Sequence, residues 1–397
     1  MAQSSTAPRL KVLFLTEWYP TSEQPVGGIF VREHAKAVRL YDDVSVLHCA
    51  GADPKLPSLW RMEAEADELL SEGIPTCRVW RRRLPIRRIS YLLYLWSVLQ
   101  AFRRLRAQGY RPDIIHGHIY EAGAAAVMLG RLYGLPVVVT EHSTAFPRRL
   151  LKGLDVWKPW LTFRWADAVL PVSRDLQRSI ESYGIEARFQ VVPNVVDTQV
   201  FFPCKTARPM DSSKRLLLVG RLEPTHSKGV PYLLAALAQL RQQRADWHLD
   251  IVGDGPARDT YAQEAAELQL TGLVTFHGEK PKEVVADYMR QADIFVLPSL
   301  WENLPCVMLE AMASGLPIIA SDVGGISEVV APEAGILVPP KDVNRLATAL
   351  ADMIRFPSRF DRQVIARQAR RFSPAVVGQE LDLVYRRVLC ARQAPGT

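Results

Sequence analysis

Short apolar runs rich in β-branched residues alternate along the chain with longer stretches whose apolar positions recur at helical spacing. In the first half the runs predict strands over Val12–Thr16, Val44–His48, Ile114–His116, Val137–Thr140, Ala168–Val172 and Gln190–Val192. Helices are predicted between them over Phe30–Tyr41, Tyr91–Gln108, Ala122–Tyr133 and Arg174–Tyr183. Such alternation builds a parallel sheet with helices on both faces. A second alternation starts at Leu216–Val219. It continues through His248–Val252, Val274–His277, Ile294–Leu297, Ile318–Ala320 and Ile336–Val338. The stretch Asp197–Ser213, with Pro203 and Pro209, reads as a linker.

The fold class is therefore α/β, with two doubly wound, Rossmann-like domains over residues 1–203 and 204–374. Ligands of such sheets bind at the carboxyl ends of the strands, here expected in a cleft between the domains. A last amphipathic helix, Ala375–Leu389, follows Phe372-Ser373-Pro374. Residues 375–397 are expected to return and pack on the first domain; plain cover for the second is the alternative.

Composition narrows the class. A chain of 397 residues is too long for one core. At 48% hydrophobic and 23% charged residues it is neither disordered nor fibrous. No run approaches the ~18 apolar residues of a membrane span. The polar stretch Met1–Pro8 lacks the apolar core of a signal peptide. The five cysteines, Cys49, Cys77, Cys204, Cys306 and Cys390, form no Cys-x-x-Cys. They suggest neither a disulfide framework nor a zinc site, and a reducing cytosol is the simple expectation.

The most informative segment runs from Leu297 to Pro317. A strand ends at Pro298, a loop carries Glu302, and Pro305 suits the first position of a helix reaching about Ser314. Gly315 suits its left-handed cap and Pro317 stops it. Free backbone N–H groups at the helix start form an anion site without any side chain. Glu310 lies on the order of 7–8 Å into the helix. Two carboxylates flanking an anion site can grip hydroxyls on either side of a phosphate, which is the layout of a nucleotide sugar. Glu310 stands in an otherwise apolar run, where a carboxylate needs a partner.

This segment resembles the Glu-x7-Glu region of the retaining glycosyltransferases of family 4, whose two-domain fold is GT-B. Other segments match in order from about Leu10 to Leu389. Trp18-Tyr19-Pro20 with Gly27-Gly28 resembles the glycine-rich first loop. Asp113-Ile114-Ile115-His116-Gly117-His118 and Val138-Val139-Thr140-Glu141-His142 resemble acceptor-side strands. Val192-Pro193-Asn194-Val195-Val196-Asp197 resembles the junction before the second domain. Leu218-Val219-Gly220-Arg221-Leu222, followed by Ser227-Lys228-Gly229, resembles the phosphate-binding start of that domain. Val252-Gly253-Asp254-Gly255-Pro256 and Asp322-Val323-Gly324-Gly325 also fit.

The resemblance implies roles. Arg221 and Lys228, with the helix start, would neutralise a leaving nucleoside diphosphate, with Gly220 beside them; two cations suffice without metal. Read alone, the two cations are ordinary solvent-exposed loop charges. Glu310 would hold the ribose, and Glu302 the donor sugar. Asn303 stands where many relatives carry glycine, and with Leu304 it joins the donor side. Gly27 and Gly28 would approach the diphosphate or sugar, or form a plain turn. His142 would contact the transferred sugar, and His118 is an acceptor-side candidate; a lone histidine is otherwise more often structural. Asp254 orients the nucleotide or simply belongs to a turn. His116 and His118 share one strand face, a poor basis for a metal site. With no Asp-x-Asp in the chain, no metal or other cofactor is expected.

The charge balance points elsewhere. The net charge is +7, and the residues up to Pro203 carry 26 Lys+Arg against 20 Asp+Glu. Arg78 to Arg106 holds nine arginines, no acid, and Trp80, Tyr91, Tyr94, Trp96 and Phe102 between them. Such a helix can lie in a membrane interface on anionic lipid; a core helix with snorkelling arginines is the alternative. No nucleic-acid-binding module appears. The reading is a retaining, metal-independent glycosyltransferase at the cytoplasmic face of a membrane. It would move a sugar from a UDP- or GDP-sugar to a lipid-linked or polysaccharide acceptor. Rivals are a GT-B phosphorylase or epimerase, a glycosidase using two carboxylates, and a silent sugar-nucleotide-binding scaffold.

Overall fold

The computed structural model describes residues 8–53, 55–204 and 213–393. The N-terminal residues 1–7, linker residues 205–212 around Pro209 and tail residues 394–397 lie outside them. The chain divides into two compact units. The first is Met1–Val172, Gln177–Val195 and Pro374–Thr397; the second is Ser173–Leu176 and Val196–Ser373. The change of unit at Val195 thus precedes the boundary expected after Pro203.

The first unit contains β1 (Lys11–Thr16), α1 (Ile29–Arg39), β2 (Asp43–Asp53), β3 (Trp60–Ala64), α2 (Glu68–Ser71), β4 (Thr76–Arg82), α3 (Arg87–Ala107), β5 (Ile114–His118), α4 (Ile119–Tyr133), β6 (Val137–Glu141), α5 (Trp157–Trp165) and β7 (Ala168–Pro171). Its sheet order is β3-β4-β2-β1-β5-β6-β7. Every pairing is parallel except β3 with β4. Helix α6 (Arg174–Glu181) follows.

The second unit contains β8 (Lys214–Val219), α7 (Val230–Arg241), β9 (Trp247–Val252), α8 (Arg258–Glu267), β10 (Val274–Phe276), α9 (Lys282–Gln291), β11 (Ile294–Leu297), α10 (Cys306–Ala313), β12 (Ile318–Ser321), β13 (Gly335–Val338), α11 (Val343–Arg355) and α12 (Arg362–Ala369). Its sheet is wholly parallel, in the order β10-β9-β8-β11-β12-β13. The central strands of both sheets are buried on both faces, which explains their unbroken apolar runs.

The final helix, α13 (Pro374–Gln393), packs on α1 in the first unit. Val377, Leu381, Val384 and Tyr385 join the core formed by Val31, Ala35 and Val38. The Tyr41 hydroxyl donates to the Ala375 carbonyl at 2.8 Å. Each buried aliphatic side chain of this contact stabilises the unit by roughly 1.5–3 kcal/mol.

Three sequence expectations change. Gln190–Val192 is not a strand. It runs beside β7, with Gln190 N–H on the Val169 carbonyl at 3.0 Å and Val192 N–H on that of Pro171 at 3.1 Å. Pro171 and Pro193 have no N–H, so no ladder can extend there. Pro305 is the N-cap of α10 and not its first helical residue. Its carbonyl accepts from Met308 N–H at 3.1 Å, where a missing N–H costs nothing. The basic stretch divides between β4 and α3. Arg78 points inward, pairing with Glu65 and donating to the Pro20 carbonyl at 2.7 Å, so it leaves the basic surface.

One backbone feature stands out. Ile119, at the β5–α4 joint, has φ +67°, a conformation a β-branched residue rarely takes. Holding it costs about 1–3 kcal/mol.

Candidate active site

In a doubly wound sheet the crevice opens where strand order reverses, because the chain leaves two neighbouring strands in opposite directions. In the second unit that point lies between β8 and β11. The loop after β8 carries Gly220, Arg221 and Lys228; the loop after β11 carries Glu302, Asn303 and Leu304. Leu300 N–H donates to the Ser227 carbonyl at 2.9 Å and ties the loops together. Gly229 is the N-cap of α7 at φ +68°, and a Cβ there would fall 1.8 Å from the Pro298 carbonyl oxygen. Only glycine lets these loops approach so closely.

The Lys228 stem lies against Gly220. Its Nζ donates to Glu302 Oε1 at 2.6 Å, and the Ser299 hydroxyl donates to the same oxygen at 2.8 Å. The two side chains are 21% and 11% exposed, so this ion pair is mostly withdrawn from water. Arg221 is different: 62% exposed, it pairs with Glu223. The structure thus joins Lys228 to Glu302, a pairing the sequence did not suggest, and engages Arg221 elsewhere. Asn303 is buried, and its carbonyl accepts from Gly325 N–H at 2.7 Å. Leu304 is buried, and Glu310 stands half-buried on α10. Asp254 makes turn contacts: its Oδ1 accepts from Gly255 N–H at 2.7 Å and its carbonyl from Leu222 N–H at 2.9 Å.

In the first unit the reversal lies between β1 and β5. Gly28 caps α1 at φ +67°, and a Cβ would meet the Trp18 carbonyl carbon at 2.3 Å. Gly27 N–H donates to the Gln24 carbonyl at 3.0 Å, closing the loop as a turn. His118 ends β5 and His142 follows β6. His118 Nδ1 lies 3.4 Å from His142 Nε2. The His116 ring stacks on His118 with centroids 4.3 Å apart. His116 is held on both sides, Nε2 by the Thr140 hydroxyl at 2.6 Å and Nδ1 by that of Tyr385 at 2.7 Å. Phe30 of α1 lies 4.4 Å from His142, ring to ring.

Both units are similar to known glycosyltransferases. Residues 28–200 match the family model described as Glycosyltransferase Family 4, and residues 213–355 that of Glycosyl transferases group 1. The glycogen synthase of Mycobacterium tuberculosis (strain CDC 1551 / Oshkosh) is 31% identical over 69% of this chain and 68% of its own. The chain belongs to glycosyltransferase family 4. A putative teichuronic acid biosynthesis glycosyltransferase of Bacillus subtilis (strain 168), TuaC, is 28% identical over 86% of this chain and 88% of its own. Anabaena HepE, solved in complex with UDP-glucose, has a TM-score of 0.74 at 21% identity, over 96% of this chain and 100% of its own. That likeness fixes the fold of this glycosyltransferase as GT-B.

Two residues of this glycosyltransferase's first unit escaped the sequence reading. His34, on α1, places its ring 5.9 Å from that of His118 and 5.4 Å from that of His142. Its Nε2 is fixed by the Pro193 carbonyl at 3.0 Å, and its buried Nδ1 has no hydrogen-bond partner among the described residues. Phe30 and His34 stand four residues apart on one helix face, the signal that could have found it. Burial holds His34 down at about 4, and His118 and His142 well below the usual imidazole range, so all three are neutral. Among the described residues, His34, His118 and His142 bring nitrogen atoms within 4.8 Å of one another and so could hold a metal ion.

The second is Glu141, at the end of β6. It accepts from the backbone N–H groups of Tyr120 at 2.9 Å, His142 at 2.9 Å and Ser143 at 2.7 Å. Burial pushes its carboxyl up to about 8 against the pull of those donors. Glu141 thereby pins the start of α4 to the segment after β6.

Proposed function

We propose that this family 4 glycosyltransferase moves a sugar from a UDP- or GDP-sugar to a hydroxyl of a lipid-linked or polysaccharide acceptor, with retention and without metal. The observation that carries the proposal is the Lys228–Glu302 pair at the strand-order reversal of the second unit. A diphosphate arriving there exchanges one anionic partner of Lys228 for another and frees Glu302 for sugar hydroxyls. Arg221, exposed, can swing from Glu223 to the phosphates. Backbone N–H groups at the start of α10 add to the anion site. Glu310 takes the ribose, and Asn303 and Leu304 bound the sugar side. Asp254 shapes its turn.

The bond from the anomeric carbon to the diphosphate oxygen breaks, and its electron pair leaves with the diphosphate. Lys228 and Arg221 neutralise that charge. The acceptor oxygen bonds to the same carbon from the same face, and its proton passes to the leaving phosphate. Gly27 and Gly28 let backbone approach the donor. Neutral His142 accepts or donates one hydrogen bond to the transferred sugar, and His118 does so for the acceptor. HepE's bound UDP-glucose and TuaC's name are in keeping with this donor and acceptor class.

Stabilisation against thermal unfolding by a panel of UDP- and GDP-sugars tests the donor without requiring an acceptor. Release of nucleoside diphosphate that is unchanged in Lys228→Ala and Glu310→Ala would overturn the site. Turnover should survive chelation; its loss would reassign His34, His118 and His142 as metal ligands.

Membrane docking belongs to the same proposal. Among the described residues no helix is long and apolar enough to cross a membrane. Helix α3 buries Leu93, Tyr94, Val98 and Phe102 but leaves Ile86, Ile89, Leu92 and Trp96 exposed beside Arg87 and Arg88. Trp157 and Trp160 of α5 are also exposed. Exposed apolar residues among arginines suit the interface of an anionic bilayer at the cytoplasmic face. Vesicle co-sedimentation of an Arg82, Arg83, Arg87 and Arg88→Gln variant tests it.

A further inference from the structure

Three imidazoles from separate elements converge in the first unit: His34 on α1, His118 at the end of β5 and His142 after β6. One ring nitrogen from each lies within 4.8 Å of the others. His118 Nδ1 and His142 Nε2 are already 3.4 Å apart. Two nitrogens bound about 2.0–2.1 Å from a tetrahedral ion stand about 3.3 Å from each other. That pair therefore has the spacing of two ligands on a shared ion. From at most 4.8 Å, the third ring reaches the same spacing by a closure of about 1.5 Å.

A second observation concerns protons. His34 Nε2 faces the Pro193 carbonyl at 3.0 Å, and a carbonyl can only accept, so this nitrogen carries the hydrogen. Nδ1 keeps its lone pair, buried and without a hydrogen-bond partner among the described residues. A histidine that gives one N–H to a backbone carbonyl and keeps its other nitrogen bare has the arrangement of a metal ligand. The Asn194 side chain hydrogen-bonds His142 and supports that ring in the same way. Burial keeps all three rings neutral, so no proton has to leave when an ion binds. His116 is no fourth ligand, because the hydroxyls of Thr140 and Tyr385 hold both its nitrogens. The strained Ile119, at φ +67°, follows His118 directly, and strain of this kind collects at functional sites.

We propose that His34, His118 and His142 bind a divalent transition-metal ion, Zn²⁺ above all, and that this ion switches the enzyme off. Three imidazoles without a carboxylate suit Zn²⁺, Co²⁺ and Ni²⁺ and offer nothing to Mg²⁺ or Ca²⁺, which take oxygen ligands. The fourth position stays open to water. His142, the half-buried member, gives the way in. The inhibitory half rests on the glycosyltransferase reading: the ion occupies the rings which that reading gives to the transferred sugar and the acceptor. It takes no part in transfer.

Titrating the untagged, chelator-treated full chain with Co²⁺ should produce the visible d–d bands of a low-coordinate ion, and Zn²⁺ should abolish them. Zn²⁺ should also raise the unfolding midpoint, whereas equimolar Mg²⁺ should not. His34→Gln should weaken Co²⁺ binding at least about tenfold, the lower end of what even outer-shell partners are worth. Nucleoside diphosphate release should persist in that variant and escape inhibition by Zn²⁺. A parent without the bands, or bands unchanged in His34→Gln, would overturn the site. So would a parent that Zn²⁺ stabilises no more than Mg²⁺, a result that needs no variant to fold. Release inhibited equally by Zn²⁺ in parent and variant defeats the inhibitory half. Stabilisation by UDP separates the two failures: its absence in the metal-free parent would defeat the glycosyltransferase reading and leave the metal site standing.

Discussion

The two units solve one geometric problem with opposite chemistry. Each sheet reverses strand order beside its first strand, and each leaves that strand through a loop closed by a left-handed glycine N-cap, Gly28 in one and Gly229 in the other. Beyond that the ends diverge. The second unit gathers charge: Lys228 on Glu302, and Arg221 on Glu223. The first unit gathers imidazoles without charge: His34, His116 and His118, all buried, and the half-buried His142. Topology therefore determines where a site forms, and local burial determines what ionic state it can hold. Lys228 and Glu302 pair with each other where some water still reaches them. Desolvation lowers the pKa of all four imidazoles and keeps them neutral.

The strongest way to break this contrast is to discharge the second unit. Lys228→Ala should lower turnover by about 10²–10³-fold, the scale of losing one preorganised charge at a leaving group. Because water reaches the pair, the stability cost to Glu302 should be about 1–2 kcal/mol, below the ~3–5 of a fully buried pair. Nucleotide release and urea unfolding measure the two effects.

Acid challenges the first unit. His34 has a folded value of about 4, below its ordinary 6.5. A depressed pKa contributes stability that is present above 6.5 and lost as pH falls through about 4. For His34 alone this approaches about 3 kcal/mol, and His116, His118 and His142 shift in the same direction. Unfolding midpoints should drop steeply between these values, and His34→Gln should flatten the slope. A flat profile in the parent would mean the cluster is not buried and neutral.

Glu141 gives a finer test. Glu141→Ala strands three backbone donors and should cost about 2–4 kcal/mol, whereas Glu141→Gln should cost less. Its folded value near 8 stands above the ordinary 4.5, so its contribution is present below 4.5 and declines as pH rises through about 8. The Gln variant should lose that alkaline decline. The smallest effect belongs to the surface: Arg88→Gln alone should weaken binding to anionic vesicles by about 1 kcal/mol.

Much of the fold was legible because strands buried on both faces leave unbroken apolar runs. All six strands expected in the second unit formed within about two residues at each end. The failures have local causes. β3 at the sheet edge carries arginine and glutamate, because an edge strand need bury only part of its surface, and β4 beside it carries three arginines. Their sequences therefore read as charged surface. Gln190–Val192 looked like a strand by composition, yet prolines beside it prevented the ladder. At the site, motifs with short internal spacing were visible: Gly220 to Gly229, and Glu302 to Glu310. Contacts across long separations were not. Lys228 meets Glu302 over 74 residues, and Tyr385 meets His116 over 269.

By itself the sequence determined the periodicity, and hence the class: two parallel α/β units whose strand ends carry the polar chemistry. It also determined where glycine must stand, since those positions follow from local turn geometry. The tertiary structure alone decided which residues became partners and which lost their charge. Pairing and desolvation depend on distance and burial, which arise only when segments remote in sequence pack together.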